Sequence, residues 1–175
     1  MNTFATALFF ALAVTVCTAQ TTEAQLREAL ATNDRIWTVF RTFERSDNKG
    51  KHTCVYALGG FPGGNEYEFD QWYKHGREWV RHPLHGRLSQ QGSNAVLTVS
   101  EQQGGQGTAY KLLYWSKEKS CGILQFTDKA DRKTKCELHV RETALRNHGS
   151  AFPCETEYGL YCGDEKHLVY TADCM

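Results

Sequence analysis

Among the residues of this chain whose type and spacing could do chemistry, Glu137 carries the most information. It lies in Cys136-Glu137-Leu138-His139-Val140, where apolar Leu138 and Val140 alternate with Glu137 and His139, the period-two signature of a strand. Both the inward and the outward assignment satisfy that pattern. If Leu138 and Val140 pack beneath a C-terminal helix, Glu137 and His139 enter the enclosed side of the sheet. A carboxylate enclosed there must find a cation, a donor or a proton, which makes it an anchor for a ligand. Outward exposure is the alternative, and the pattern alone leaves the choice even.

Other candidates are weaker. Over 66–73, Tyr67, Phe69 and Gln71 point one way while Glu66, Glu68, Asp70 and Trp72 point the other. Three carboxylates on one face could draw in a cation, but a solvated outer face is the simpler reading. His75, His82 and His85 fall in a basic, aromatic segment. A metal site is conceivable there, yet the spacing is irregular and no acidic or cysteine partner is fixed nearby, which favours a surface loop. No Gly-x-Ser-x-Gly elbow is present, and Gly104-Gly105-Gln106-Gly107 lacks the Lys-Ser/Thr of a phosphate loop. The chain reads as a binding protein, not an enzyme, with no cofactor and no metal.

Composition sets the surroundings. Residues 4–16 form an uncharged, largely apolar run, and small Cys17 and Ala19 follow it. That is the form of a signal peptide, so residues 1–19 are expected to be removed and 20–175 to form one extracellular domain. Of the seven cysteines, Cys17 leaves with that segment. Cys54, Cys121, Cys136, Cys154, Cys162 and Cys174 remain, an even set that reads as a disulfide framework with fifteen possible pairings. The 20 basic and 20 acidic side chains balance, which gives no electrostatic reason to seek nucleic acid or a membrane surface. A monomer is expected.

Those residues must be positioned by short elements. Thr22-Glu23-Ala24-Gln25 fits a capping box ahead of Leu26 and Leu30, which predicts a helix over 23–32. Runs rich in β-branched and aromatic residues recur at 35–43, 53–58, 66–73, 78–81, 95–100, 109–115, 122–127 and 135–141, with turn residues between them. Eight such strands predict an antiparallel sandwich or a closed barrel, and closure removes exposed edges. Pro153 can open a helix over 154–162, expected to pack outside the barrel. An extended piece over 167–170 leads to Cys174.

The order and spacing of these pieces resembles the tick salivary lipocalins of the histamine-binding-protein family. The resemblance rests on Thr53-Cys54-Val55, Ser120-Cys121-Gly122-Ile123, Cys136-Glu137-Leu138, Cys154 with Tyr158 and Tyr161, and Tyr170-Thr171-Ala172-Asp173-Cys174. It implies an all-β fold with flanking helices: an eight-stranded antiparallel lipocalin barrel, a short N-terminal helix and a C-terminal helix packed outside. It implies the pairs Cys54–Cys174, Cys121–Cys154 and Cys136–Cys162. It also implies a secreted protein that holds a small host inflammatory mediator inside the barrel.

The departures bear on the ligand. Amine-binding members carry Cys-Asp followed by Glu-Leu-(Trp/Tyr); here Gly122 stands at the Asp position and His139 at the aromatic one. An ammonium ligand wants carboxylates and aromatic faces together. A biogenic amine, histamine or serotonin, held at Glu137 is the first expectation. A hydrophobic mediator such as a leukotriene, fatty acid or sterol is the second. Surface inhibition of a host protein such as a complement factor is the third. Trp37, Phe43, Tyr110, Glu137 and His139 are the expected lining residues, in a cavity of roughly 300–1,000 Å³.

Overall fold

The computed structural model describes residues 20–175; the signal-peptide expectation for 1–19 lies outside them. The elements in order are α1 (Glu23–Leu30), β1 (Ile36–Arg41), β2 (Ser46–Asp47), β3 (Gly50–Gly63), β4 (Glu66–His75), β5 (Glu78–Gln91), β6 (Asn94–Ser100), β7 (Thr108–Ser116), β8 (Cys121–Thr127), β9 (Thr134–Arg141), α2 (Glu142–Arg146), α3 (Glu155–Cys162) and β10 (His167–Leu168). A 3₁₀ turn, Ala172–Cys174, ends the chain.

Strands β3 to β9 pair in sequence order, all antiparallel. β1 pairs β9 on one side and β3 on the other, which closes an eight-stranded barrel. The two-residue strands β2 and β10 are added at β3 and β1.

Two stretches that read as loops are strand. β5 runs through Pro83 and Gly86 to Gln91, where the sequence suggests an end near 81. Gly86 pairs with Tyr67, and a side chain there would meet Leu97 Cδ1 at 2.8 Å. The glycine lets Tyr67 and Leu97 fill the space over it and is not a break in the strand. β3 likewise runs through Gly59-Gly60-Phe61-Pro62, with a register shift between Gly60 and Gly63. Phe61 packs against Tyr67, ring centres 5.0 Å apart and planes tilted by 48°.

The capping box on α1 forms as the sequence predicts. Gln25 N donates to Thr22 Oγ1 at 3.2 Å, and Thr22 N donates to Gln25 Oε1 at 2.9 Å. Just before it, the buried Thr21 hydroxyl donates to Leu112 O at 2.6 Å and accepts from Ala95 N at 3.1 Å. These bonds fix the helix across one end of the barrel, where Leu26 and Leu30 join Ile36, Tyr67, Leu88, Leu97 and Leu112 in an inner core.

A second core lies outside the barrel wall. Trp37, Val39, Phe40, Leu138 and Val140 are covered there by Tyr158 of α3 and by Tyr170. Disulfides Cys54–Cys174, Cys121–Cys154 and Cys136–Cys162 fasten the C-terminal segment over this patch. Tyr158 is wholly buried, so α3 is held by packing as well as by covalent bonds.

Candidate ligand-binding site

Once Leu138 and Val140 pack outward under α3, the alternation of β9 turns Glu137, His139 and Arg141 inward. All three line a cavity of about 290 Å³ inside the barrel. Leu26, Ala29 and Leu30 of α1 close it at one end. Ser100, Glu101 and Thr108, which bracket the β6–β7 connection, border it at the other together with His82 and Arg45. Between them the wall is mostly apolar: Ile36, Val55, Phe69, Leu84, Leu97 and Leu124.

Glu137 is buried and does not face the cavity alone. Arg41 Nε donates to its Oε1 at 2.8 Å, and both side chains are almost fully buried, at 2 % and 7 % exposed. His139 Nε2 lies 3.1 Å from the other oxygen, Oε2. Burial alone would push the Glu137 carboxyl up. The Arg41 charge, the His139 hydrogen bond and further positive charge from His139 and Arg45 outweigh it and hold the group down at about 2. The carboxylate is therefore ionised and already partnered on both oxygens.

Arg41 reaches this position through an irregularity. Strict alternation would place it beside Trp37 and Val39, outside the barrel. The β1–β9 register shifts between Thr38 and Phe40, so Val39 and Phe40 both join the outer core and Arg41 turns inward opposite Glu137. Sequence reasoning missed Arg41 because nothing in Ile36-Trp37-Thr38-Val39-Phe40-Arg41 marks a bulge. Arg45 and Arg141 were missed as well; the inward period of β9, continued two residues past His139, points to Arg141.

Of the five expected lining residues, the structure brings Tyr110, Glu137 and His139 to the cavity wall. Burial pushes the Tyr110 hydroxyl pKa far up, and the nearby Glu137 charge adds to it, so Tyr110 stays a neutral hydroxyl. Trp37 is placed differently. Its ring is fully buried in the outer core, 4.8 Å from Tyr56 and 5.2 Å from Tyr170 between ring centres, and its indole N–H donates to Glu142 at 3.3 Å. Phe43 lies past the end of β1. It meets Phe126 edge-on at 5.6 Å and sits under the cations of Arg41, Arg45 and Lys135. Phe43 is not among the residues that line the cavity; it packs beside Phe126, which in turn meets the lining Tyr110 ring at 4.7 Å.

At the closed end, Arg141 lies over the Trp115 ring at 5.1 Å and donates through Nη2 to the Glu28 and Ala29 carbonyls at the end of α1. Its Nε is buried and has no hydrogen-bond partner. The carboxylates of β4 face outward: Asp70 pairs with Arg81 and Glu66 with Arg87. Among the described residues lining the cavity, the cationic and imidazole groups are Arg45, Arg141, His82 and His139, against the carboxylates Glu137 and Glu101.

A closed eight-stranded antiparallel barrel with an enclosed apolar cavity and a helix strapped outside is a lipocalin. The family model for tick histamine-binding protein matches residues 86–175, half of the chain, and the chain belongs to that family. Two solved structures share the fold. Japanin from Rhipicephalus appendiculatus bound to cholesterol superposes with a TM-score of 0.55 and 13% identity, over 83% of this chain and 98% of that one. The serotonin complex of AM182 superposes with a TM-score of 0.62 and 16% identity, over 87% of this chain and 92% of that one. No curated protein matches the chain.

Proposed function

We propose that this protein is a secreted scavenger of a small hydrophobic mediator that carries an acidic or hydroxyl head group, with residues 20–175 as the mature domain. Membership of a small-ligand-binding family, the cavity and the three disulfides support sequestration in an extracellular setting. The observation that carries the choice of ligand is the Arg41–Glu137 pair. A carboxylate with both oxygens partnered has little to offer an ammonium group, while Arg45, Arg141 and His139 present donors to the space. An apolar tail would lie against Phe69, Leu97 and Leu124. Its head group would take hydrogen bonds from Arg45 and Tyr110 at one end or from the free Nε of Arg141 at the other.

A biogenic amine is the second reading. Two observations favour it: the cavity sits at the small end of the range for drug-sized ligands, and AM182, which shares the fold, binds serotonin. On this reading the amine displaces His139 from Glu137. Native mass spectrometry of the secreted protein, with the co-purified molecule identified, separates the two.

A further inference from the structure

Outside the cavity, Asp47, His52 and His75 bring three potential metal-ligating atoms within 4.8 Å of one another. They come from three strands. Asp47 ends β2, His52 lies near the start of β3, and His75 ends β4. His52 and His75 are direct cross-strand partners in the β3–β4 ladder, which sets the two imidazoles side by side. Their rings stand at 88° with centres 4.8 Å apart. The β2–β3 hairpin then folds Asp47 over both.

We propose that these three side chains form a site for a divalent transition ion of the zinc type. Asp47 Oδ1 lies 2.7 Å from His75 Nε2, and Oδ2 lies 3.2 Å from His52 Nε2. A tetrahedral zinc bound at about 2.0–2.2 Å needs donor atoms about 3.3 Å apart, so side-chain shifts of roughly an ångström or less admit the ion. The donor set, two imidazoles and a carboxylate, suits zinc and its neighbours and leaves a fourth position for solvent.

An independent observation points the same way. His75 is only 7 % exposed, and its buried Nε2 makes no hydrogen bond although Asp47 Oδ1 lies 2.7 Å away. A buried ring nitrogen without a hydrogen bond is costly, and a metal bond would satisfy it. The supporting contacts are in place. Tyr73 stacks on His52 at 4.2 Å, and Lys49 N donates to Asp47 Oδ1 at 2.8 Å, holding the carboxylate in its turn. The three residues are 5 and 23 positions apart in sequence, a spacing that matches no zinc signature; only the ladder register joins them.

The test is calorimetric titration of the purified secreted protein, stripped with EDTA, with zinc chloride at pH 7.5. One ion per chain is expected. His52→Ala, His75→Ala and Asp47→Asn should each weaken binding at least tenfold, while His85→Ala leaves it unchanged. Asp47 is on an exposed hairpin, so Asp47→Asn leaves the core intact even if the buried His75→Ala disturbs it; near-UV circular dichroism checks both. Cobalt(II) should give a visible absorption band that Asp47→Asn removes. Zinc uptake equal in all variants, or no saturable uptake by the unmodified protein, overturns the proposal.

Discussion

Arg41 and Glu137 face each other across the β1–β9 pair, 2.8 Å apart between Nε and Oε1 and shut away from solvent. On the proposed reading the pair decides which head group the barrel suits, because it neutralises a carboxylate that would otherwise anchor a cation. It also ties the bulge in β1 to the chemistry of the cavity. Without the register shift at Thr38–Phe40, Arg41 would point into the outer aromatic core and Glu137 would keep only its contact with His139.

Removing one partner of this pair should be costly. Arg41→Met leaves Glu137 as a buried charge with His139 and the Arg45 charge for company, at a cost of roughly 3–5 kcal/mol. Thermal and urea unfolding measure it. Replacing both, as Arg41→Met with Glu137→Leu, should recover most of that loss. Equal destabilisation by the single and the double variant would show that the pair is not coupled.

The same pair predicts a swap of ligand preference. Arg41→Gln should raise the affinity for serotonin by freeing a carboxylate oxygen, and Arg45→Ala should lower the affinity for a fatty-acid anion. Loss of one charge-assisted hydrogen bond is worth about 1.5–3 kcal/mol, roughly tenfold to a hundredfold. Competition titrations read both, and an unchanged ratio of the two affinities would contradict the assignment.

Acid should destabilise the fold through Glu137. Its carboxyl is held at about 2 against an ordinary 4.5. A group depressed on folding contributes stability above its unfolded pKa, and that stability is lost as pH falls through the folded one. The loss should therefore run from about pH 4.5 down to about pH 2. Glu137→Gln should flatten the stability curve in that window. A variant with the same acid limb as the parent would rule Glu137 out as the source.

Trp37 separates the two cores. Trp37→Ala should cost about 3–5 kcal/mol from the lost packing, a fall of roughly 6–20 °C in Tm. Ligand affinity, measured well below the melting range, should hardly change, since the ring lies outside the barrel. A loss of affinity without a loss of stability would return Trp37 to the cavity wall.

The bridges predict a thiol count. The purified protein, unfolded without reductant, should titrate no free thiol. Reducing or removing Cys54–Cys174, which spans 120 residues, should cost up to about 5 kcal/mol. Two reactive thiols per chain would contradict the framework.

Much of this architecture is legible in the residues because local signals agree with the fold. The capping box at Thr22 and Gln25, the recurring β-branched runs and the alternation of Leu138 and Val140 all mark their elements. The direction of Glu137 is not legible: it depends on which face α3 covers, a long-range packing choice. Arg41 is beyond alternation because one bulged residue reverses every side chain after it; Trp37 lies ahead of the bulge, and its side is not legible because alternation alone does not say which face of β1 is enclosed. The Asp47–His52–His75 cluster was hidden because a ladder register, not a sequence interval, brings it together. Gly86 lies beyond the strand end that the sequence suggests near 81, and its role inside β5 is to make room for Leu97.

The most direct test of the account is a paired titration of the delipidated protein with a long-chain fatty-acid anion and with serotonin, followed by calorimetry at neutral pH. The Arg41–Glu137 pair predicts one saturable site for the acid, weakened by Arg45→Ala or Arg141→Ala, and binding of serotonin at least tenfold weaker. Tight serotonin binding that Glu137→Gln abolishes, with no heat from the acid, would contradict it.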